Sequence, residues 1–311
     1  MPLRMAIVGL GKIAGDEHVP AILADPAFSL VATAGGRGEP PPSTRRFANH
    51  RDLLTDAAGD LDAVAICTPP APRLAIARDC LEAGLHVLLE KPPCATLAGI
   101  DSLRRLAEAH QRTLFAAWHS QFAPAVAPAG AALAGRAIID LEIIWREDVR
   151  RWHPGQDWVF AAGGFGVFDP GINALSIVSR LAPDALLIEA ADLMVPQGRV
   201  NPIAATLRLG CGTANLDWQA VDAGEWTIRF RAAEPGGRET RFEIRGGGRE
   251  LSIDGVSQAL APRGEYPTLY AHFAELVAQG RSDVDAAPLR AVADAFLVGN
   301  RLPTEPFSWD P

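Results

Sequence analysis

The chain has 311 residues, 48% of them hydrophobic and 21% charged, a length that exceeds one comfortable core and predicts two domains. Its 29 Lys and Arg against 37 Asp and Glu give a net charge of −8. That balance argues against nucleic acid as the main partner, because phosphate binding needs a cationic surface, while leaving room for a local basic pocket that takes one small phosphate ligand.

The first predicted strand, 5–8, runs into Gly9, Gly11 and Lys12, which cut its apolar run too short for a signal peptide. Further apolar runs at 29–34, 63–67, 86–89 and 113–117 make five strands. Continuous rather than alternating runs predict strands covered on both faces, as in a parallel sheet. Helical stretches lie between them. One spans 74–83 and stops at Gly84; another follows Thr96, a good N-cap, with Leu97, Ile100, Leu103 and Leu106 down one side. Residues 38–43 form a stiff, Pro-rich loop. This order predicts an α/β Rossmann domain, a doubly wound parallel sheet, over 1–121.

The style then changes. A strand is predicted at 137–145, and Asp169-Pro170 opens a helix over 171–181, with Asp169 as N-cap and Pro170 at the first helical position. Extended segments at 204–210, 225–231, 240–245 and 250–254 mostly alternate apolar with polar, and Gly236-Gly237 and the glycines at 246–248 separate some of them. A last helix is predicted around 266–279. Residues 122–311 thus read as an α+β domain with a large, mainly antiparallel, open-faced sheet. No stretch approaches the ~20 consecutive apolar residues of a membrane span. Cys67, Cys80, Cys94 and Cys211 form no CxxC pair and no zinc spacing. They are expected to be buried, reduced thiols of a cytoplasmic protein, and no metal site is expected.

Gly9-Leu-Gly11-Lys12-Ile13-Ala14 matches G-x-G-x-x-A between a strand and a helix. Gly9 suits the tight turn, Gly11 the approach of a pyrophosphate, and Ala14 close helix–sheet packing. The second strand ends in Gly35-Gly36-Arg37, with no carboxylate before Glu39. An Arg there suits the 2′-phosphate of NADP, with NAD also accepted; the competing reading is a solvated loop residue. Thr68-Pro69-Pro70 and Glu90-Lys91 follow the third and fourth strands, at carboxyl ends where ligands bind in such sheets. Lys91 taken alone reads first as a surface lysine; at this place it is also a candidate hydrogen-bond donor or, if burial or nearby cations release its proton, a base.

The GLGKIA, TPP and EKPP stretches, with the sheet-like second half, resemble the glucose–fructose oxidoreductase/inositol dehydrogenase (Gfo/Idh/MocA) family over essentially the whole chain. The resemblance implies that Lys91 reaches the nicotinamide and the substrate hydroxyl. It also implies that the Thr68 turn touches the nicotinamide and that the open sheet face serves oligomerisation, as in a homodimer. Four strings, at 117–120, 145–156, 166–176 and 265–273, further resemble the bacterial L-arabinose/D-galactose 1-dehydrogenases. That likeness implies a sugar pocket lined by His119, Glu147, His153, Asp169 and Asn173, with Trp152 offering a flat apolar face. It implies oxidation of L-arabinose, D-galactose or D-fucose at C1 to the aldonolactone.

The broader family usually has His at the place of Asn173 and uses it as acid/base. Asn cannot titrate, so Lys91 is expected as the immediate proton acceptor. Asp169, whose charged form a helix N-terminus favours, would orient it or relay the proton. On residue type alone, Asp169 reads first as a helix cap. Glu147 and Asp148 read as partners of Arg146, Arg150 or Arg151, and His119 and Trp152 as core. Competing functions are another sugar- or polyol-oxidising member of the family and a non-catalytic NADP-binding regulator.

Overall fold

The structure is a computed structural model and describes residues 1–221 and 224–310. It divides into two compact units, one of Met1–His119 with Gly264–Ala286 and one of Ser120–Arg263 with the chain from Ala287 onward.

In the first unit, β1 (Leu3–Leu10), β2 (Phe28–Gly36), β3 (Arg45–Phe47), β4 (Ala63–Ile66), β5 (His86–Glu90) and β6 (Leu114–Ala117) form a parallel sheet ordered β3-β2-β1-β4-β5-β6. This is the doubly wound order, whose switch point lies beyond the carboxyl ends of β1 and β4. The continuous apolar runs have the expected cause: every residue of β4 and β6 is buried. The three-residue β3, Arg45-Arg46-Phe47, escapes sequence reading because it is polar and lies at the sheet edge. Helices α1 (Val19–Ala24), α2 (His50–Ala57), α3 (Pro70–Glu82) and α4 (Leu97–Ala109) connect the strands. Thr96 caps α4 as predicted, its hydroxyl accepting from Gly99 N at 3.2 Å.

In the second unit, α5 (Val126–Leu133) leads into β7 (Ala137–Arg146), α6 (Val149–Trp152) and α7 (Phe168–Leu181). Seven strands follow: β8 (Ile188–Pro196), β9 (Ala204–Leu209), β10 (Gly212–Asp217), β11 (Glu225–Ala233), β12 (Glu239–Arg245), β13 (Glu250–Ile253) and β14 (Val256–Ser257). With β7 and a final strand, β15 (Gly299–Thr304), they make a nine-stranded sheet ordered β14-β13-β12-β11-β7-β10-β9-β8-β15. Only β7–β10 and β8–β15 pair in parallel. Along β7, Leu141, Ile143 and Trp145 are buried, whereas Asp140 and Glu142 face the other way. There Arg229 joins Glu142 at 2.7 Å and Glu243 at 2.8 Å, and Arg231 joins Asp140 at 3.2 Å. One wet, charged face explains the alternation in the sequence.

Two expectations need correction. The predicted second domain, 122–311, includes a segment that packs with the first unit. Its helix α8 (Glu265–Gln279) buries Tyr266, Leu269, Tyr270, Phe273 and Leu276, and sets Tyr270 5.3 Å from Phe28 and Phe273 6.1 Å from Phe115. The chain then closes the β6 edge, with Ala116 N donating to Asp283 O at 2.9 Å. Helix α9 (Ala287–Val298) returns to the second unit, where Phe296 meets Phe168 at 5.3 Å. The other correction concerns Asp169. Helix α7 begins at Phe168 after an N-cap at Val167, so Asp169 lies inside the first turn and is not the cap. The turn that starts it, with Asp169 N bonded to Gly166 O at 2.8 Å, closes one step earlier than Pro170 suggested.

Candidate active site

In the first unit, the glycine turn after β1 is shaped for a dinucleotide. Gly9 has φ +93°, and a Cβ on it would lie 2.8 Å from Thr68 N, so the turn after β1 packs directly on the turn after β4. A Cβ at Gly11 would meet nothing within 4 Å, which leaves open space at the start of the helical stretch that runs from Lys12 through the π-helical Ala14–His18 into α1. Lys12 pairs with Asp16, and Ile13 is 39% exposed. The end of β2 is drawn against the same turn: Gly38 N donates to Leu10 O at 2.8 Å, and a Cβ on Gly36 would overlap that carbonyl. This carries the exposed Arg37 to the neighbourhood of the fingerprint. Thr68 Oγ1 is buried without a hydrogen-bond partner. Open space at a helix N-terminus, an orphaned hydroxyl and a nearby cation fit a nicotinamide dinucleotide.

Lys91 follows a buried cluster. Glu90, 3% exposed, accepts from Tyr266 Oη at 2.5 Å and faces His18 Nε2 at 3.4 Å, while His18 Nδ1 meets Tyr270 Oη at 2.8 Å. Burial alone would raise the Glu90 pKa, but the His18 contact outweighs it and holds the carboxyl at about 2. Burial likewise works against a charged His18, yet Cys67, Tyr270 and Glu90 together lift it well above its ordinary value. Tyr270 is pushed to about 12 by burial and stays neutral near pH 7, so it meets His18 as a hydrogen-bond partner, while Glu90 faces the ring as a carboxylate at 3.4 Å. His119 Nδ1 is bonded to Glu265, and its ring stacks 5.4 Å from Tyr266. Burial opposes its charge, and Glu265 and then Glu90 overcome that and raise its pKa. Arg73, 2% exposed, donates to the carbonyls of Thr68, Glu90 and Pro92.

The second unit gathers Glu147, Trp152, His153 and Asp169. Glu147 is held by two indoles. Its Oε1 accepts from Trp218 Nε1 at 3.1 Å and its Oε2 from Trp226 Nε1 at 3.0 Å. Asp148 takes the other reading, accepting from Arg150 N at 3.0 Å and pairing with its guanidinium. Trp152 is 36% exposed and 6.3 Å from Trp226, so it is not core. His153 Nε2 sits 3.1 Å from Asp169 Oδ2, and its ring lies edge-on to Trp218 at 5.3 Å. Asn173 is one turn beyond Asp169 on α7, half-buried. The set offers a fixed carboxylate, a carboxylate–imidazole pair and flat aromatic faces, which are groups that hold hydroxyls and a ring.

Of the predicted pocket residues, His119 belongs to the first unit and the rest to the second. Sequence reasoning missed His18, Arg73, Glu265, Tyr266, Trp218 and Trp226. Glu265 and Tyr266 stood within the matched string 265–273; the others carried no spacing that marks them. Cys67 and Cys211 are half-exposed, against expectation, and only Cys80 and Cys94 are buried; all four are free. Among the described residues no cluster of three or more His, Cys, Asp or Glu offers a metal site, and no helix is long and apolar enough to cross a membrane.

A family model described as an oxidoreductase family with an NAD-binding Rossmann fold matches residues 3–118. A galactose 1-dehydrogenase of Pseudomonas fluorescens is 45% identical over 98% of this chain and 99% of its own length. The crystal structure of a D-galactose-1-dehydrogenase protein from Rhizobium etli superposes with a TM-score of 0.91 at 44% identity, covering 99% of this chain and 98% of that one. A 3-ketoreductase from Actinomadura kijaniata, solved with NADP, shares the fold at a TM-score of 0.82 and 19% identity, over 98% of this chain and all of that one.

Proposed function

The chain belongs to the Gfo/Idh/MocA oxidoreductase family, and from that premise we propose that it is an NAD(P)-dependent aldose 1-dehydrogenase acting on D-galactose, L-arabinose or D-fucose. The observation that carries this reading is the near-full-length likeness to galactose 1-dehydrogenases. The buried Glu147 and the Asp169–His153 pair supply the hydroxyl acceptors such a substrate needs. When bound, the nicotinamide coenzyme supplies the hydride acceptor for C1. Lys91 takes the proton of the C1 hydroxyl, with Asp169 orienting it or relaying the proton and Asn173 placed beside that step. C1 loses one hydride and its oxygen one proton, which leaves the aldonolactone. His119, Glu147, Trp152 and His153 hold the sugar hydroxyls and ring.

Gly9, Gly11, Lys12, Ile13, Thr68, Pro69, Pro70 and Glu90 frame the coenzyme, and Arg37 favours NADP, with NAD accepted. The charged open face of the nine-stranded sheet is the surface proposed for a homodimer. Four free cysteines in a chain of this length support a cytoplasmic location. The test is to mix the protein with NADP or NAD and a sugar panel and follow the near-ultraviolet absorbance of the reduced coenzyme. Reduction with D-galactose or L-arabinose is expected. Coenzyme binding without turnover of any sugar or polyol overturns the reading in favour of a nucleotide-binding regulator, and turnover of another polyol alone moves the substrate.

A further inference from the structure

Strands β4 and β5 are paired only as far as Ile66 and Leu89. Beyond that point β4 and β5 no longer pair with each other, although Glu90 still pairs with Ala117 of β6, and the carbonyls of the two turns expected to contact the nicotinamide need donors from elsewhere. Arg73 supplies them. It sits in the first turn of α3, whose Ile76, Ala77, Cys80 and Leu81 are buried in the first unit. One guanidinium nitrogen donates to the carbonyls of Glu90 and Pro92, on either side of Lys91, and another donates to Thr68 O. The neighbouring Cys94 thiol is pushed up to about 11 by burial, against the pull of Arg73, so it stays neutral and does not draw the guanidinium away. A planar guanidinium donates in fixed directions, which a lysine ammonium cannot copy. The Thr68 turn is in turn packed against Gly9.

We propose that Arg73 is the positioning residue of the nicotinamide side: it ties the Thr68-Pro69-Pro70 and Glu90-Lys91-Pro92 turns to α3 as one rigid platform and thereby fixes where Lys91 stands. The inference rests on the dehydrogenase reading for its kinetic consequence, but the clamp itself is a property of the first unit alone. Displacing a reacting group by about 1 Å costs up to a hundredfold in rate, so a loosened platform lowers kcat while leaving sugar affinity nearly intact.

The experiment compares wild type with Arg73→Lys and Arg73→Gln. Amide hydrogen exchange is read by mass spectrometry on peptides covering 66–72 and 88–95, without coenzyme or sugar. Both segments should exchange about tenfold faster or more in Arg73→Lys, together, while β1 and β2 keep their protection. With NADP and D-galactose, kcat should fall at least about tenfold, with KM for the sugar changed less than about twofold. Unchanged exchange, loss at only one of the two turns, or an unchanged kcat overturns the proposal. If both variants lose protection throughout the first unit, Arg73 is a core residue and the positioning role falls. A wild type that oxidises no sugar sinks the dehydrogenase reading instead, and the exchange result still decides the clamp.

Discussion

Two carboxylates, each buried in its own unit, are held in opposite ways. Glu90 faces an imidazolium and accepts from a tyrosine hydroxyl. Glu147 has one indole N–H on each oxygen. The first arrangement is built on opposite charge and gives Lys91 a fixed base to stand on. The second turns a neutral indole donor toward each carboxylate oxygen and so fixes where the two oxygens stand. Charge pairing fixes a turn in one unit, and indole donors fix a carboxylate in the other.

The sharpest way to break this contrast is at the residue the first cluster supports. Lys91→Ala should lower kcat by roughly a hundredfold to ten-thousandfold, the range for loss of a general acid–base group, in steady-state assays with saturating coenzyme. If that variant keeps near-normal turnover while Asp169→Ala abolishes it, the proton acceptor is Asp169 and the two roles exchange. Next in size comes Glu147→Gln. The amide preserves shape but has only one acceptor oxygen, so one of the two indole N–H groups is left facing an NH₂. An unsatisfied buried group costs about 1–3 kcal/mol, or roughly five- to 150-fold in kcat/KM for the sugar, with KM for the coenzyme unmoved. An equal loss for coenzyme would place Glu147 outside the sugar site.

The fold was legible where burial leaves a pattern. Five apolar runs stood out because parallel strands covered on both faces tolerate little else, and all five are strands. The polar β3 did not stand out, nor did Gly299–Thr304, a strand made by pairing with β8 and not by its own composition. The return of α8 to the first unit was invisible because an amphipathic helix shows that it has a buried face but not what covers it. Chemistry followed the same division. Gly9, Gly11, Thr68 and Lys91 sit in contiguous motifs. Glu90 and His18 are 72 residues apart, and Arg73 reaches carbonyls whose sequence says nothing about them. His18 was passed over as one histidine among seven.

The charge pair also has a pH signature, smaller in size. Glu90 has its pKa lowered in the fold, so its contribution is present above the ordinary carboxylate range and is lost as pH falls toward about 2. His18 has its pKa raised, so its contribution is complete below the ordinary histidine value of about 6.5 and is lost as pH rises through the higher folded value. Both are present together from roughly pH 5 to 6.5. The melting-temperature gap between wild type and His18→Gln should therefore be largest in that window and shrink toward alkaline pH. A gap that widens with pH would mean that the buried imidazole is neutral, and the contrast with Glu147 would vanish.

The smallest effect belongs to the exposed cation. Arg37 stands on a bend that Gly36 and Gly38 press against Leu10, so its place near the coenzyme turn is fixed by backbone contact even though its side chain is in water. A solvent-exposed charge contributes little and is screened by salt, so Arg37→Ala should raise KM for NADP only about two- to tenfold and leave KM for NAD nearly unchanged. Added salt should shrink the difference, because the extra phosphate of NADP is the one feature that a cation at this place can read by charge. Equal effects on both coenzymes would remove Arg37 from the 2′-phosphate, and a salt-independent effect would point to a packed contact in place of a solvated ion pair.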